Sequence, residues 1–409
     1  MKKTRILALV MALAMCFGLM AGCSNSSSGS NDTPKNSDTP SSSAPENTDG
    51  DTANTGATGT FKIGGIGPLT GGAAIYGIAA MNGAQIAVDE INALGGAQFE
   101  FKPEDDAHVA ETSVNAYNAL MDWGMQALVG TVTTTPCVAV SAEAYNDRLF
   151  CLTPSASSTD VIAGKDNVYQ VCFTDPNQGV ASADYIVENM AGSKVAVIYK
   201  NDDAYSQGIR DTFVAEAGNK GLEVVYEGTF NESTQTDFSV QLTAAQSAGA
   251  DLIFLPIYYQ PASVILTQAD QMGYEPTFFG VDGMDGILTQ PNFDTSLAEG
   301  VMLLTPFSAD ADDERTQNFV SKYQELYNEI PNQFAADGYD AVYIIYAALN
   351  AAGCSGDMNY DEICEAIISV MPTISVDGLT GAGMTWSSTG EVSKAPMAVV
   401  IKDGVYVTP

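Results

Sequence analysis

The sequence is poor in the residues on which most catalytic and metal sites depend. Its 409 residues include a single histidine, His108, and neither a Cys-x-x-Cys pair nor clustered histidines, which argues against a zinc site. No Gly-x-Ser-x-Gly segment occurs, so Ser–His hydrolysis lacks its usual parts. A lone histidine in a loop is more often structural than catalytic. We therefore predict a protein that is not an enzyme and that uses neither a metal ion nor another cofactor.

Positive charge is also scarce. The chain has 16 Lys and Arg against 50 Asp and Glu, which gives a formal net charge of −34. Nucleic acids and anionic lipid surfaces attract Lys/Arg patches, so the composition argues against both as partners. The acidic excess is better explained as a means of keeping the protein soluble.

The N-terminus carries an export signal. Lys2, Lys3 and Arg5 precede an apolar run over residues 6–20, which is shorter than the ~20 residues of a membrane span. The run ends at Ala21-Gly22-Cys23, which resembles the lipobox of bacterial lipoproteins, so residues 1–22 are predicted to be a lipoprotein signal peptide. Cys23 would then carry the lipid that anchors the mature protein to the cell membrane. An ordinary secretory signal with an incidental cysteine is the alternative.

Residues 24–60 consist almost wholly of Ser, Asn, Thr, Asp, Gly and Pro. Such a segment cannot bury enough apolar area to offset the entropy lost on ordering. We predict that residues 23–60 form a disordered tether. A lipid followed by a tether and a globular body places the body outside the cytoplasmic membrane.

The cysteines of the body leave two alternatives open. There are five, an odd number, so at most two disulfides and one free thiol are possible. Cys354 and Cys364 are close in sequence, and Cys151 and Cys172 lie in apolar, strand-like runs. The other possibility is that all five, including Cys137, are small buried residues.

Hydrophobic periodicity predicts an α/β fold with two lobes. Short β-rich runs alternate with helical stretches over residues 61–173, and the alternation restarts at residue 194. Several strands, such as residues 195–199, are apolar throughout, which suits a parallel sheet covered on both faces. We expect two doubly wound, Rossmann-like lobes joined by a hinge of several crossings. The predicted lobes are residues 61–176 plus 306–376 and residues 177–305 plus 377–409.

The last part of the chain does not continue this alternation of strands and helices. We predict long helices over residues 334–352 and 360–370, followed by short strands at residues 384–386, 397–401 and 405–407. The Asp403-Gly404 pair between the last two strands is a strong hairpin signal.

A glycine-rich loop follows the first predicted strand. Gly65 and Gly67 begin a Gly-x-Gly pattern, but Thr70 stands where a dinucleotide-binding loop has its third glycine, and Pro68 interrupts the loop. We interpret the glycines as positions where backbone amides approach a small ligand at a helix start.

Polar residues at the ends of predicted strands indicate a binding site. Hydroxyl-rich runs at residues 131–135 and 153–159 each end a strand, and hydroxyls with free amides at helix N-termini can bind a carboxylate without Arg or Lys. In the second predicted lobe, Asp282 directly follows an apolar strand, where its carboxylate can receive an ammonium group. Tyr76, Tyr205 and the Tyr258-Tyr259 pair lie at loop starts, where they could wall a ligand.

These segments resemble, in this order, the periplasmic-binding-protein family of the leucine/isoleucine/valine type (type I fold), the receptors of branched-chain amino-acid ABC transporters. The most specific markers are Gly67-Pro68-Leu69-Thr70-Gly71, residues 82–92, Thr153-Pro154-Ser155-Ala156-Ser157, residues 202–208 and Phe279-Gly280-Val281-Asp282-Gly283. The resemblance covers residues 61–407.

The resemblance implies a role for each matched position. Thr134 matches the hydroxyl that binds the ligand carboxylate, although the different arrangement of this run could move the role to Thr133. Ser155 matches a position that contributes backbone and Ser157 one that contributes a hydroxyl. The remaining matches are the second-lobe aromatics Tyr205 and Tyr259, the ammonium-binding Asp282 and the pocket-lining Tyr76.

The implied function is that of an extracytoplasmic solute-binding lipoprotein. It would capture a small amino acid, branched-chain or otherwise apolar, between its lobes and deliver it to the permease subunits of an ABC transporter, acting as a monomer. The alternative is a ligand-sensing receptor component for another small solute, such as an amide, urea or an aromatic acid.

Overall fold

The computed structural model describes residues 56–409. The predicted signal peptide, Cys23 and most of the predicted tether lie outside these residues. The folded body begins a few residues before the predicted tether boundary: Ala57 is buried, Thr58 pairs with Ser355, and the first strand starts at Thr60. Within the described part of the chain, no helix combines the length and apolar character needed to cross a membrane.

The strands form two sheets. The first is parallel, with the order β2-β1-β3-β4-β5, and the second has the order β12-β11-β10-β9-β8-β6-β7. In the second sheet β6 to β10 are parallel, while β11 and β12 form the antiparallel hairpin predicted at Asp403-Gly404. The strands are β1 (Thr60–Gly67), β2 (Gln98–Asp105), β3 (Ala127–Gly130), β4 (Phe150–Thr153), β5 (Val168–Gln170), β6 (Lys194–Lys200), β7 (Glu223–Phe230), β8 (Leu252–Leu255), β9 (Thr277–Gly280), β10 (Met302–Thr305), β11 (Met397–Lys402) and β12 (Val405–Val407).

Helices cover both faces of each sheet. They are α1 (Ala74–Leu94), α2 (Ala110–Trp123), α3 (Thr134–Asp147), α4 (Asp175–Asn189), α5 (Ala204–Lys220), α6 (Ser239–Ser247), α7 (Tyr259–Gln271), α8 (Glu314–Tyr327), α9 (Gln333–Ala352) and α10 (Tyr360–Val370). Successive residues of a strand point to opposite faces, so Val129 packs in the core that contains α1 and α9, while Leu128 packs in the core that contains α2 and α3. In the second sheet Val197 packs with α4 and α5, and Ala196 with α6 and α7. The α/β fold with parallel sheets buried on both sides is confirmed.

The chain passes three times between the parts that carry the two sheets. After β5 it enters α4, which packs on α5; after β10 it returns to α8 and α9, which pack on α1; and near Met397 it joins the second sheet. Before this last passage, residues 379–392 contact the first part. Leu379 and Thr380 donate to Asp340 in α9, and the Trp386 indole donates to the Gln170 carbonyl in β5. The predicted lobe boundaries remain a prediction.

Two predicted elements differ from the structure. Helix α4 was not predicted, because its buried face consists mostly of small and polar residues, among them Gly179, Ser182 and Ala183. The predicted strand at residues 384–386 is wrong. Met384 and Trp386 make only isolated bridges with Val376 and Val392, since this segment packs beside β5 through side-chain and loop contacts instead of extending a sheet.

The five cysteines of the body are free thiols, and all are buried. Of the two alternatives left open by the sequence, the structure therefore has small buried residues and neither the Cys354–Cys364 nor the Cys151–Cys172 disulfide.

Candidate functional site

Three loops at the carboxyl ends of parallel strands meet at one place. β3 leads into Thr133 and Thr134, β4 leads into Ser155, and β9 leads into Asp282. Carboxyl ends of parallel strands are where doubly wound sheets bind ligands. The first two loops come from one sheet and the third from the other, so the meeting place lies between the two parts of the fold.

A small cavity of about 10 Å³ lies at this place, and we call it the site cavity. Six of the eight residues predicted to bind ligand line it. The two others, Ser157 and Tyr259, are not among its lining residues. The lining residues are Tyr76, Val132, Thr133, Thr134, Ser155, Tyr205, Tyr258, Asp282, Gly283 and Phe334.

One wall of the site cavity offers hydroxyls and helix amides. Thr134 is the first residue of α3, and its buried hydroxyl has no hydrogen-bond partner among the described residues. The Thr133 hydroxyl, in contrast, lies 2.8 Å from the His108 Nδ1 atom, and the Ser155 hydroxyl donates to the Val132 carbonyl at 2.6 Å. The N-terminal amides of a helix carry partial positive charge, so this wall can accept a carboxylate.

The opposite wall is acidic. Asp282 is 4% exposed, and its Oδ1 atom accepts hydrogen bonds from the Tyr205 hydroxyl at 2.6 Å and from the Gly283 amide at 2.8 Å. Burial raises the pKa of Asp282 to about 6, and the Tyr205 hydroxyl opposes this rise. None of the described residues that line the cavity is Lys or Arg, so a cationic group supplied by a ligand would meet no competing charge there.

Asp175 is a second buried carboxylate, which the sequence analysis missed. It is the first residue of α4, is 1% exposed, and neither of its carboxylate oxygens has a hydrogen-bond partner within residues 56–409. Burial raises its pKa well above the usual range; the neighbouring Ser157 opposes the rise, and the charge of Asp282 adds to it. An unpaired buried carboxylate is costly, which makes Asp175 a strong candidate to meet a ligand cation.

The aromatic residues divide into two groups. Tyr258 lines the site cavity, with its ring centroid 4.8 Å from that of Tyr205 and 5.3 Å from that of Tyr76. Tyr259 instead donates its hydroxyl to the Gly72 carbonyl at 2.7 Å and its amide to the Tyr76 hydroxyl at 3.2 Å. The sequence analysis assigned the ligand contact to Tyr259, but its neighbour Tyr258 is the residue that lines the cavity.

We expected the glycine-rich loop to offer its backbone amides to the ligand, but none of its residues lines the site cavity. The amides of Leu69 and Thr70 both donate to Asp105, at 2.8 and 3.3 Å, and the Thr70 hydroxyl donates to the same carboxylate at 2.6 Å. Gly65 has a packing role, since a Cβ atom at that position would collide with the side chains of Met81 and Phe101. The described residues also contain no group of three His, Cys, Asp or Glu side chains placed to hold a metal ion.

The buried carboxyls predict an unusual pH dependence. Burial raises the pKa of Asp282 and Asp285 to about 6 and that of Asp106 to about 7. A raised folded-state pKa means that the folded state binds protons more readily than the unfolded state. The contribution of these carboxyls to the free energy of unfolding is therefore complete below about pH 4 and is lost as the pH rises through about 6 to 7. We expect the melting temperature of the ligand-free protein to increase when the pH is lowered from about 8 to about 5. A calorimetric pH series checks this, and a steady decrease over that range would contradict it.

The amino-acid sequence matches a known protein family over most of its length. A profile of the periplasmic binding proteins matches residues 60–404. The chain is a member of that family. The binding protein is also 30% identical over 335 residues, 81% of this chain and 88% of the relative, to the Leu/Ile/Val-binding protein homolog 3 of Brucella melitensis.

Solved structures agree with this membership. The binding protein is 28% identical to the leucine binding protein LivK of Thermotoga maritima, with a TM-score of 0.77 over 85% of this chain and 97% of that one. It is also 28% identical to the branched-chain amino acid transporter substrate binding protein LivJ of Streptococcus pneumoniae in complex with isoleucine, with a TM-score of 0.75 over 86% and 100% of the two chains. The two-lobe, type I fold of this binding protein is therefore established.

Proposed function

We propose that this protein captures a small α-amino acid, branched-chain or otherwise apolar, in the cleft between its lobes and delivers it to the permease of an ABC transporter. It would do so outside the cytoplasmic membrane, held by a lipid on Cys23. The observation that carries the proposal is the mixed polarity of the site cavity, which is lined by the free hydroxyl of Thr134, at the start of α3, and by the buried carboxylate of Asp282. A second buried carboxylate, Asp175, lies outside the lining but close enough for its charge to interact with that of Asp282.

Each group of an α-amino acid finds a matching wall. The carboxylate fits the Thr134 hydroxyl and the N-terminal amides of α3, and the ammonium fits Asp282 and Asp175. Val132, Tyr76 and Phe334 supply apolar surface for the side chain. The free hydroxyl of Thr134 favours it over Thr133, whose hydroxyl is engaged by His108.

The site cavity of about 10 Å³ is too small for an amino acid, so the cleft would open to admit the ligand and close again around it. The Tyr76 hydroxyl, on α1, donates to the Gly283 carbonyl in the loop after β9. The Tyr259 hydroxyl, on α7, donates to the Gly72 carbonyl in the loop before α1. These contacts join the parts that carry the two sheets. The three chain passages between them would act as the hinge, and the closed form would be the one that the permease recognises. The relatives named for leucine, isoleucine and valine support this choice of ligand.

A matched ligand series tests the proposal. Leucine is compared in thermal-shift and calorimetric titrations with 4-methylpentanoate, which lacks the ammonium, and with 3-methylbutylamine, which lacks the carboxylate. A ligand that binds only the folded state raises the melting temperature. We expect leucine or a related α-amino acid to bind and both truncated analogues to lose about 100-fold or more in affinity. Binding only of urea, amides or aromatic acids would instead favour the sensor or another solute.

A further inference from the structure

A second cavity lies beside the site cavity, and we call it the side compartment. It has a volume of about 520 Å³, which is within the roughly 300–1,000 Å³ of small-molecule pockets. Tyr258 is the one residue that lines both cavities. The hydroxyl-rich run also spans them, since Thr134 lines the site cavity and Thr135 lines the side compartment. The Tyr258 side chain therefore forms part of the boundary between the two spaces.

The walls of the side compartment carry an excess of negative charge. Asp202, Asp203 and Glu232 line it, against a single cation, Lys200. Lys200 is already paired with Glu232, with their charged atoms 2.6 Å apart. His108 adds no positive charge near neutral pH, because burial and the nearby Lys200 lower its pKa to about 4.

Asp203 is the acid best placed to meet a ligand. It is 6% exposed, and its Oδ1 atom caps the N-terminus of α5 by accepting the Tyr205 amide at 3.2 Å. Burial raises its pKa to about 6. Burial raises the pKa of Tyr258, and the charge of Asp203 adds to this rise, ahead of the charges of Asp282 and Asp175. Carboxylates thus flank the Tyr258 ring from both cavities.

We infer that the side compartment is a subsite for a cationic side-chain end, an ammonium or a guanidinium, of an amino acid whose carboxylate and α-ammonium bind the walls of the site cavity once the cleft has opened to admit it. Asp203 is its counter-ion, and Tyr258 is the gate between the two spaces. The inference rests on the proposed capture of an α-amino acid and departs from its apolar side-chain preference: an apolar side chain would leave Asp203 without a partner, whereas a basic side chain would pair with it.

Physical chemistry gives this subsite its selectivity. A long unbranched side chain could pass beside Tyr258, and the face of that ring would stabilise its cationic end. A buried carboxylate with one hydrogen bond gains most from a charged donor. An acidic side chain of similar length would meet Asp203 and Asp202 and be repelled.

Lysine, norleucine and glutamate form the test series, measured by isothermal titration with the purified protein. Lysine and norleucine have the same carbon chain and differ by the terminal ammonium. We expect lysine to bind at least about tenfold more tightly than norleucine, the effect of one charge-assisted hydrogen bond, and glutamate to bind least. Equal affinities for lysine and norleucine would overturn the inference but leave the proposed function intact. Binding of no α-amino acid would overturn both.

Variants localise the effect. Asp203→Asn removes the charge but keeps a good N-cap for α5, so the fold is retained and the ratio of lysine to norleucine affinity is expected to fall to about one. Asp211→Asn, an exposed acid on the same helix, is the matched control and should leave the ratio unchanged. Lys200→Gln frees Glu232 and should raise the ratio. A ratio that is unaffected by both Asp203→Asn and Lys200→Gln would contradict the assignment.

Discussion

Replacing Asp282 with alanine is expected to lower the affinity for an α-amino acid by about 100- to 5,000-fold. The buried ammonium would lose a counter-charge in a cavity without Lys or Arg, and leaving one partner of a buried ion pair unpaired costs about 3–5 kcal/mol. The Tyr205 hydroxyl and the Gly283 amide would lose their shared acceptor as well. Isothermal titration of the wild type and the variant with leucine, or with the related α-amino acid that the wild type binds, measures the effect.

Two further variants separate charge from shape. Asp282→Asn retains an oxygen acceptor for Tyr205 and Gly283 and removes only the charge, so its loss should fall between that of alanine and the wild type. Asp270→Ala, an exposed acid of α7, is the control and should bind normally. Undiminished affinity for an α-amino acid in Asp282→Ala would show that another residue, with Asp175 as the first candidate, receives the ammonium.

The second large effect concerns the packing of α1 on α9. Gly83 of α1 and Gly338 of α9 face the partner helix, and a Cβ atom at either would lie closer than 3.0 Å to a backbone carbonyl, that of Ala335 or Ala80. Backbone cannot yield as a flexible side chain can. Gly83→Ala must therefore push the helices apart and open a fully buried core, which we expect to cost about 3 kcal/mol or more.

Thermal unfolding followed by circular dichroism measures this cost. Gly83→Ala is expected to lower the melting temperature by about 5–10 °C. Gly218→Ala is the matched control: it is also a helical glycine, in α5, but no atom lies within 4 Å of its Cβ position. This control should be stabilised by about 0.5–1 kcal/mol, because alanine favours a helix. Similar melting temperatures for the two variants would refute a close contact between α1 and α9.

Much of the fold could be predicted because its elements have strong local signals. The bounds of α10 agree with the expected residues 360–370, and α9 begins one residue before the expected 334–352. Apolar runs bounded by turn residues also located β11 and β12, although the same signal wrongly predicted a strand at residues 384–386. α4 escaped prediction, because a helix that packs through Gly179 and Ser182 has no apolar period to detect.

The same omission hid Asp175, which begins α4. Its significance comes from burial without a partner, and neither property can be read from a polar segment. The Tyr258-Tyr259 pair shows another limit: α7 begins at Tyr259, and the extended backbone at Tyr258 directs its side chain into the cavity. Helix starts are uncertain by a residue or two in sequence, so the choice between neighbours needs coordinates.

The start of the folded body determines how the protein would respond to a pulling force. Thr58 is held to the Cys354 carbonyl and the Gly356 amide, at the amino end of β1, whereas the site cavity lies beyond the carboxyl ends of the strands. β1 is an interior strand, paired in register with β2 along its whole length and with β3 at Ile63–Ile66. Tension from an N-terminal attachment would therefore load these hydrogen bonds together in shear, while the mouth of the cleft points away from the point of attachment.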